Sequence, residues 1–204
     1  TVQIGELRVE VLRDGSSIVP GDFFGSLEGS RHASLVGADG RIELPIAGLL
    51  VRSGERTVLI DAGMGPTSVE WQPKSGGSLR LFGGELPAAL AEAGVAPEQV
   101  DLVLATHLHG DHVGWIFQEG RPFFPNAVVR FGAGDWEPWV ERGPDPAFRA
   151  NMRALARAGR IAPIERDGEV APGISALHTP GHTPGHQCFV LSSGTARAMI
   201  LGDA

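Results

Sequence analysis

The chain has 204 residues, of which 42% are hydrophobic, and its formal net charge is −7. This length and composition allow one substantial core but hardly two domains. The lack of a basic block argues against a nucleic-acid partner, and without a run of about 18 apolar residues we expect no membrane span.

The N-terminal quarter combines one apolar strand pattern with a long polar segment. Residues 4–12 alternate, which predicts a strand with Leu7, Val9 and Val11 on its buried face. Residues 13–40 are rich in Gly, Ser and Asp and predict a loop. Phe23 and Phe24 in that loop either anchor it to the core or line a pocket.

The next segments predict a hairpin, a helix and a buried strand. Residues 44–52 and 57–61 form the hairpin, which ends at Asp61, and residues 64–82 are expected to be irregular. Residues 85–93 have one apolar face and predict a helix, which Gly94 ends. Residues 102–105 are continuously apolar and predict a buried strand.

A dense group of polar side chains follows that strand directly. Residues 106–112 contain His107, His109, Asp111 and His112. His107 and His109 are two apart in an extended segment and therefore point the same way, while Gly110 lets the chain turn. Since imidazole nitrogens and carboxylate oxygens are ligands of zinc and similar cations, this segment predicts a metal site.

The remaining chain predicts short elements around a second histidine loop. Short helices are expected at 113–117 and from Asp145, as N-cap, to about residue 157. Strands are expected at 127–131, 174–177, 187–192 and 198–201. Two Thr-Pro-Gly units prevent a helix in the loop that carries His182 and His186. The only cysteine, Cys188, forms no internal disulfide and is expected to be a buried thiol.

His-x-His-x-Asp-His after a buried strand resembles the signature of the metallo-β-lactamase superfamily. The run from Gly181 to His186, and Gly202-Asp203 at the end of another apolar run, extend the similarity over nearly the whole chain. The resemblance implies an α/β fold, a four-layer αββα sandwich formed by a single domain over residues 1–204. The last elements of that sandwich, with one more histidine ligand, are expected beyond Ala204.

The resemblance also implies the site residues. His107, His109 and His182 would form one metal site, Asp111 and His112 would contribute to a second, and Asp203 would bridge the two. His178 and His186 are expected to be supporting residues. Asp61 would either hold the histidine loop by hydrogen bonds or cap an ordinary turn.

The implied activity is hydrolysis with two divalent metal ions, zinc above all, with iron, manganese or cobalt as other candidates. A shared water whose pKa falls from about 16 towards 7 would supply hydroxide, and Asp111 would hold it and shuttle its proton. The branch of acyl-homoserine lactonases and methyl-parathion-type phosphotriesterases is the most similar, which implies an ester, lactone or phosphoester substrate. We expect a small-molecule substrate, a cytoplasmic location unless a leader has been removed, and a possible homodimer.

Two alternatives remain open from the sequence. Persulfide dioxygenases resemble the same family and bind one iron through two histidines and an aspartate, for which His109, His182 and Asp203 are available. The other alternative is a non-catalytic fragment that binds metal. Metal content and oxygen uptake distinguish these alternatives from the hydrolase.

Overall fold

The computed structural model describes residues 1–23, 25, 31–72 and 78–204. Its strands, in chain order, are β1 (Val2–Ile4), β2 (Leu7–Pro20), β3 (Arg41–Ser53), β4 (Arg56–Ile60), β5 (Ser68–Trp71), β6 (Leu79–Phe82), β7 (Leu102–Leu104), β8 (Phe117–Gln118), β9 (Arg121–Pro122), β10 (Val128–Arg130), β11 (Gly168–Ala171), β12 (Ile174–His178), β13 (Gln187–Ser193) and β14 (Ala196–Ile200). Its α-helices are α1 (Leu86–Glu92), α2 (Gly110–Val113) and α3 (Pro146–Arg157), and a π-helix spans Trp136–Glu141. Short 3₁₀ turns lie at Ala33–Leu35, Pro97–Gln99 and Ala133–Asp135. None of the helices in these ranges is long and apolar enough to cross a membrane.

Two sheets carry almost all of the strands. The large sheet has the order β10-β7-β4-β3-β2-β6-β5, with β1 paired to β2. Its β10, β7 and β4 are mutually parallel, and its other pairings are antiparallel. The small sheet is antiparallel throughout, in the order β11-β12-β13-β14.

The large sheet buries apolar side chains on both of its faces. One face packs against the small sheet, where Val58 and Leu104 meet Ile174 and Phe189. The other face packs against the helices, where Leu59 and Val103 meet residues that include Leu90 and Met152. The described residues therefore form a helix layer, a large sheet and a small sheet, which are three of the four layers expected.

The N-terminal strand is longer than the sequence predicts. The expected strand at 4–12 is two strands, β1 and β2, and β2 continues to Pro20, so the start of the expected loop at 13–40 is strand. The pairing register of β2 shifts between Arg13 and Gly15, and Asp14 at this irregularity is fully buried. The residues Asp14-Gly15-Ser16, which have the composition of a turn, therefore lie at an irregular point within a strand. Val11 is 61% exposed and does not share the burial of Leu7 and Val9, because the packing of the small sheet ends before it.

Two other segments also differ from the prediction. Residues 64–82 contain β5 and β6, and the four side chains of β5, an edge strand, are all exposed. The short helix expected at 113–117 lies earlier, because α2 begins at Gly110 within the histidine segment itself. Phe23 is 46% exposed, and Phe24 lies outside the described residues.

The other predicted elements are confirmed within one to three residues at their ends. The β3–β4 hairpin, α1 and the strands β7, β10, β12, β13 and β14 lie where expected. The side chain of Asp145 accepts hydrogen bonds from the backbone nitrogens of Ala147 (2.8 Å) and Phe148 (3.2 Å), and α3 begins directly after it. Local capping chemistry therefore determines where this helix starts.

Candidate metal centre

Four strand ends bring the candidate ligands together at one rim of the two sheets. The chain reaches His107 and His109 directly after β7, and α2 then carries Asp111 and His112. His182 lies in the loop between β12 and β13, and Asp203 follows β14. Because these strands come from both sheets, the ligand set forms only when the sheets pack together.

Three of the predicted histidines converge on one point. The Nε2 atom of His107 lies 2.9 Å from the Nδ1 atom of His109. The Nε2 atom of His182 lies 2.8 Å from the same Nδ1 atom. These three nitrogens form a group compact enough to hold a metal ion.

A second group shares a histidine with the first. His107, His112 and Asp203 each offer a ligand atom within 4.8 Å of the others. One carboxylate oxygen of Asp203 lies 3.4 Å from Nε2 of His112, and its other oxygen lies 3.4 Å from Nε2 of His182. Asp203 therefore stands between the two groups, as a bridging carboxylate would.

Asp111 lies at the edge of this constellation. Its Oδ2 atom is 3.8 Å from Nε2 of His112, and its side chain is partly exposed. Among the described residues, neither of the two compact groups includes Asp111. Its carboxylate is placed beside the second group, where solvent reaches it.

Burial and nearby charges shift the pKa values of His107 and His109 in the opposite direction from that of His112. Burial, followed by the charges of His112 and His109, lowers the pKa of His107 to about 2. Burial, followed by the charge of His182, also lowers the pKa of His109. Burial opposes protonation of His112, but the charge of Asp61 and hydrogen bonds to Asp203 and Asp61 raise its pKa to about 11. The hydrogen bond with His112 holds the pKa of Asp203 below its ordinary value.

This donor set fits divalent metal ions. Imidazole nitrogens held 2.8–2.9 Å apart place several potential donor atoms against one small volume, which a cation stabilises. An aspartate between the two groups adds an oxygen donor that can serve both. The chemistry of the donors is that of zinc, manganese, cobalt or iron rather than calcium, which takes oxygen ligands only.

Asp61 supports the histidine segment, as expected. Its Oδ1 atom accepts a hydrogen bond from the backbone nitrogen of Thr106 at 2.7 Å, and its Oδ2 atom lies 2.9 Å from both the Thr106 hydroxyl and Nδ1 of His112. Asp61 has a positive φ of 59°, an unusual conformation that turns its side chain into the site. The alternative of an ordinary turn cap is therefore wrong.

His186 and His178 lie outside the two donor groups, as expected. His186 is fully buried, its Nδ1 atom bonds to Thr179, and its Nε2 atom accepts from the backbone nitrogen of Asp203 at 3.2 Å. His178 is exposed and contacts the carbonyl oxygen of Pro184 at 3.0 Å. His186 thus holds the backbone that carries Asp203. Gly202 precedes that aspartate with a φ of +60°, and a Cβ on it would lie 2.8 Å from His186.

Asp135 connects the two histidine loops, a role that the sequence did not suggest. It is fully buried, and its carboxylate accepts from the backbone nitrogens of Leu108 (3.1 Å) and Gly185 (2.7 Å) and from the hydroxyl of Thr183 (3.0 Å). It therefore fixes the segment of His107 and His109 relative to that of His182. The only signal in the sequence is its position shortly after β10, the neighbour of β7.

Asp14 is a second buried carboxylate that the sequence did not reveal. It is fully buried and accepts five hydrogen bonds, from the backbone nitrogens of Met64, Gly65, Gly84 and Leu86 and from the indole of Trp115. These bonds connect β2 with the segments that follow β4, β6 and α2. Trp115 itself is a packing residue, since it is only 6% exposed and belongs to the main hydrophobic core.

Cys188 is buried and free, as predicted. Its sulfur lies 3.4 Å from the Thr179 hydroxyl and 3.4 Å from the carbonyl oxygen of Leu201. It belongs to neither donor group among the described residues. Its role is in packing rather than in the site.

A largely apolar cavity of about 380 Å³ lies beside α2. Met64, Val113, Phe117 and Phe148 line it, and Gly110 lies on its wall, between His109 and Asp111 in the chain. A Cβ on Gly110 would meet nothing within 4 Å. A side chain at this position would therefore have room to extend without a clash at its Cβ.

Comparisons with known proteins give one family match and several related lactonases. A family model described as the Metallo-beta-lactamase superfamily matches residues 42–204. An N-acyl homoserine lactonase from a Bacillus species is 29% identical in an alignment 175 positions long, which covers 78% of this chain and 63% of that protein. N-acyl homoserine lactonase AiiB of Agrobacterium fabrum is 30% identical in an alignment 160 positions long, which covers 71% of this chain and 56% of that protein. The chain thus spans less than two thirds of the length of these relatives.

Solved structures show the same fold. AidC, described as a dizinc quorum-quenching lactonase in complex with a product, superposes with a TM-score of 0.74 at 23% identity, covering 97% of this chain and 71% of that chain. The hydrolase AbOPH of the beta lactamase superfamily superposes with a TM-score of 0.78 at 24% identity, covering 99% of this chain and 72% of that chain. The expected mixed α/β fold is confirmed.

Proposed function

Because the chain belongs to the metallo-beta-lactamase superfamily, we propose that it is part of a metal-dependent hydrolase that opens a lactone or cleaves a related ester. The observation that carries the proposal is the convergence of His107, His109 and His182 beside a bridging Asp203. In this proposal the first metal ion binds to the three histidines. Asp111 and His112 contribute to the second metal ion, and Asp203 contributes to both.

Zinc is the proposed metal, since the donors are imidazole and carboxylate and AidC is described as a dizinc enzyme. When bound, two such ions polarise a substrate carbonyl and lower the pKa of a shared water. The chain's own contribution is a rigid donor frame. Asp61, Asp135 and His186 accept hydrogen bonds from backbone N–H groups of the segments that carry the candidate ligands, at Thr106, Gly185 and Asp203 respectively.

Asp111 is the proposed group for proton transfer. Its carboxylate lies beside His112 but outside the two compact groups, and it is reached by solvent. In lactone opening a proton must reach the alkoxide oxygen that leaves the carbonyl carbon. A carboxylate at the edge of the site can take a proton from the attacking water and pass it to that oxygen.

We propose an apolar acyl substituent on the substrate. The curated relatives are N-acyl homoserine lactonases. The cavity beside Gly110 is mainly apolar, and its charged lining residues, Glu119 and Asp145, are acidic. This lining favours a neutral hydrocarbon chain over an anionic substituent.

The donor count supports two metals over a single iron. A mono-iron site needs two histidines and one carboxylate, whereas His107 and His112 also face the same Asp203 as His182 does. The single-iron dioxygenase and the non-catalytic fragment become alternative outcomes of the test.

The test measures metal content and turnover on the same purified protein. We expect close to two zinc, manganese or cobalt ions per chain after loading. We also expect hydrolysis of N-acyl homoserine lactones, measured by pH-stat titration, at a rate that rises with the length of the acyl chain. A chelator should abolish this hydrolysis, and added zinc should restore it. One iron with oxygen uptake, or no metal at all, would overturn the proposal.

His182→Ala and His178→Ala form a matched pair for this test. Both residues lie in or beside the same loop, but only His182 belongs to a donor group. We expect His182→Ala to lose metal and activity together, and His178→Ala to keep both. Equal losses in the two variants would indicate damage to the loop rather than loss of a ligand.

A further inference from the structure

His109 is supported differently from its neighbouring histidines. The Nδ1 atom of His107 lies 3.1 Å from the hydroxyl of Thr106, and Nδ1 of His112 lies 2.9 Å from Asp61. His109 instead turns its Nδ1 atom towards His107 and His182. In the described part of the chain, no hydrogen bond reaches its other ring nitrogen, Nε2, so no polar group fixes the ring from behind.

An indole ring occupies the position beside His109. The ring centroids of His109 and Trp139 lie 4.7 Å apart, and the two rings are perpendicular, at 90°. Perpendicular aromatic pairs at this distance are attractive, because the positive edge of one ring meets the negative face of the other. Trp139 therefore restricts the rotation of the His109 ring through packing.

The backbone beneath Trp139 is closely held. Trp139 lies in the π-helix Trp136–Glu141, a rare conformation that is often found at functional sites. A Cβ on Gly143 would overlap the carbonyl oxygen of Trp139, so the chain packs tightly against this residue. The indole is thus presented to His109 from a rigid base.

The indole nitrogen does not explain why a tryptophan stands here. The Nε1 atom of Trp139 is buried, and it has no hydrogen-bond partner within the described ranges. A buried N–H without an acceptor is unfavourable. What the site gains from Trp139 is therefore the area and orientation of the ring.

We propose that Trp139 is a positioning residue for His109, which directs Nδ1 of that histidine at the point shared with His107 and His182. It has the supporting role for His109 that the Thr106 hydroxyl has for His107 and the Asp61 carboxylate has for His112. This inference rests on the proposed metal-binding function. It goes beyond that function by assigning the geometry of one ligand to an aromatic contact.

Trp136 provides a matched control. It lies on the same π-helix, stacks on Phe131 with centroids 6.3 Å apart and planes 6° apart, and donates its indole N–H to Glu141 at 2.8 Å. It shares the position in the helix and the partial burial of Trp139. Within the described ranges its ring and hydrogen-bond contacts do not include a histidine, so its loss should affect stability without affecting ligand geometry.

The experiment compares Trp139→Leu, Trp139→Phe and Trp136→Leu. Zinc affinity is measured by competition with a chromophoric chelator, and ligand geometry by the visible absorption spectrum of the cobalt-loaded protein. We expect Trp139→Leu to weaken the first zinc ion about ten- to a hundredfold, as the loss of other ligand-orienting contacts does, and to change the cobalt spectrum. Trp139→Phe should keep most of the affinity, and Trp136→Leu should keep affinity and spectrum.

A metal-free measurement separates this inference from the proposed function. In the NMR spectrum of metal-free protein, the His109 ring protons should carry a ring-current shift that Trp139→Leu removes and Trp136→Leu leaves. If the wild type binds no metal, the proposed function fails, and this shift still decides the contact. Wild-type affinity and cobalt spectrum in Trp139→Leu, or the same changes in Trp136→Leu, would overturn the inference. Trp139→Met replaces the leucine variant if that variant does not fold.

Discussion

The two halves of the candidate metal centre carry charge in opposite ways. His107, His109 and His182 form a half in which burial lowers the pKa of His107 and His109, so these two donors are uncharged. In the other half, the pKa of His112 is raised to about 11 between Asp61 and Asp203. In the metal-free protein at neutral pH, His107 and His109 therefore offer uncharged nitrogens to a metal ion, whereas the imidazole of His112 carries a proton and a positive charge.

This difference has a consequence for metal binding. A metal ion that binds in the first half needs no deprotonation of His107 or His109, but a metal ion that binds in the second half must displace the proton of His112. The second half also keeps Asp203 ionised through that same proton. We therefore expect the first half to bind metal more tightly at neutral pH, and the second half to depend on its carboxylate frame.

The largest effect is expected from His107→Ala, because His107 belongs to both groups. Removing it leaves the first metal ion with an incomplete set of histidines, which catalytic zinc sites rarely tolerate, and also takes away the imidazole that lies beside His112 and Asp203. Bound zinc and hydrolysis should both fall to background, as measured by elemental analysis after gel filtration and by turnover of the same sample. A variant with wild-type metal content and turnover would contradict the shared role of His107.

Asp61→Asn should affect the halves unequally. Both oxygens of Asp61 accept hydrogen bonds around Thr106 and His112, and an asparagine can accept through only one of them. We expect affinity for the second zinc ion to fall about 10–100-fold and affinity for the first to change less, as measured by stepwise titration against a chelator.

Asp101→Asn is the control for Asp61→Asn. Asp101 accepts a hydrogen bond from the backbone nitrogen of Thr57 at 2.8 Å, so it is a carboxylate beside the large sheet, and among the described residues it bonds to no histidine. Its replacement should leave both zinc affinities unchanged. Equal weakening of the two ions by Asp61→Asn would remove the distinction between the halves.

Much of the candidate site could be predicted from the sequence, because its ligands come in short local patterns. His107, His109, Asp111 and His112 lie within six positions, and a strand directly precedes them. Asp61 also stands at a strand end, where a buried carboxylate is a plausible support. The positions of most strands and of the main helices along the chain were likewise predicted from apolar periodicity.

The parts that were missed depend on contacts between distant segments. Asp14 and Asp135 accept mainly from backbone N–H groups, at separations from 27 to 72 residues. Since every residue except proline supplies such a donor, no side-chain pattern marks these partners. The edge strand β5 was also missed, because it has only four residues, and its pairing with β6 is not visible in a pattern that short. Trp139 looked like one tryptophan among four until the structure placed it beside His109.

The smallest expected effect is a proton count that distinguishes the two halves directly. The pKa of His112 is raised from 6.5 to about 11, so between these values the folded, metal-free protein holds a proton that the unfolded chain has lost. The stabilisation from this protonated histidine is complete below about pH 6.5 and is lost as the pH rises through about 11. His107 and His109 have lowered pKa values, so they carry no proton to release in this range. Binding of the second metal should therefore strengthen by up to about tenfold per pH unit above neutrality, while these two donors add no such dependence to the first.

Calorimetric titration with zinc at pH 7.5, in buffers that differ in ionisation enthalpy, measures the protons released with each ion. Ionisation of a bound water also releases a proton, so the wild-type count alone does not identify His112 as the source. Asp61→Asn removes the main charge that keeps His112 protonated, and we expect it to lower the count for the second ion by up to about one proton. Asp101→Asn should leave the count unchanged. If wild type and Asp61→Asn release the same number of protons, His112 is not protonated before the metal binds, and the two halves of the centre do not differ in charge as their geometry indicates.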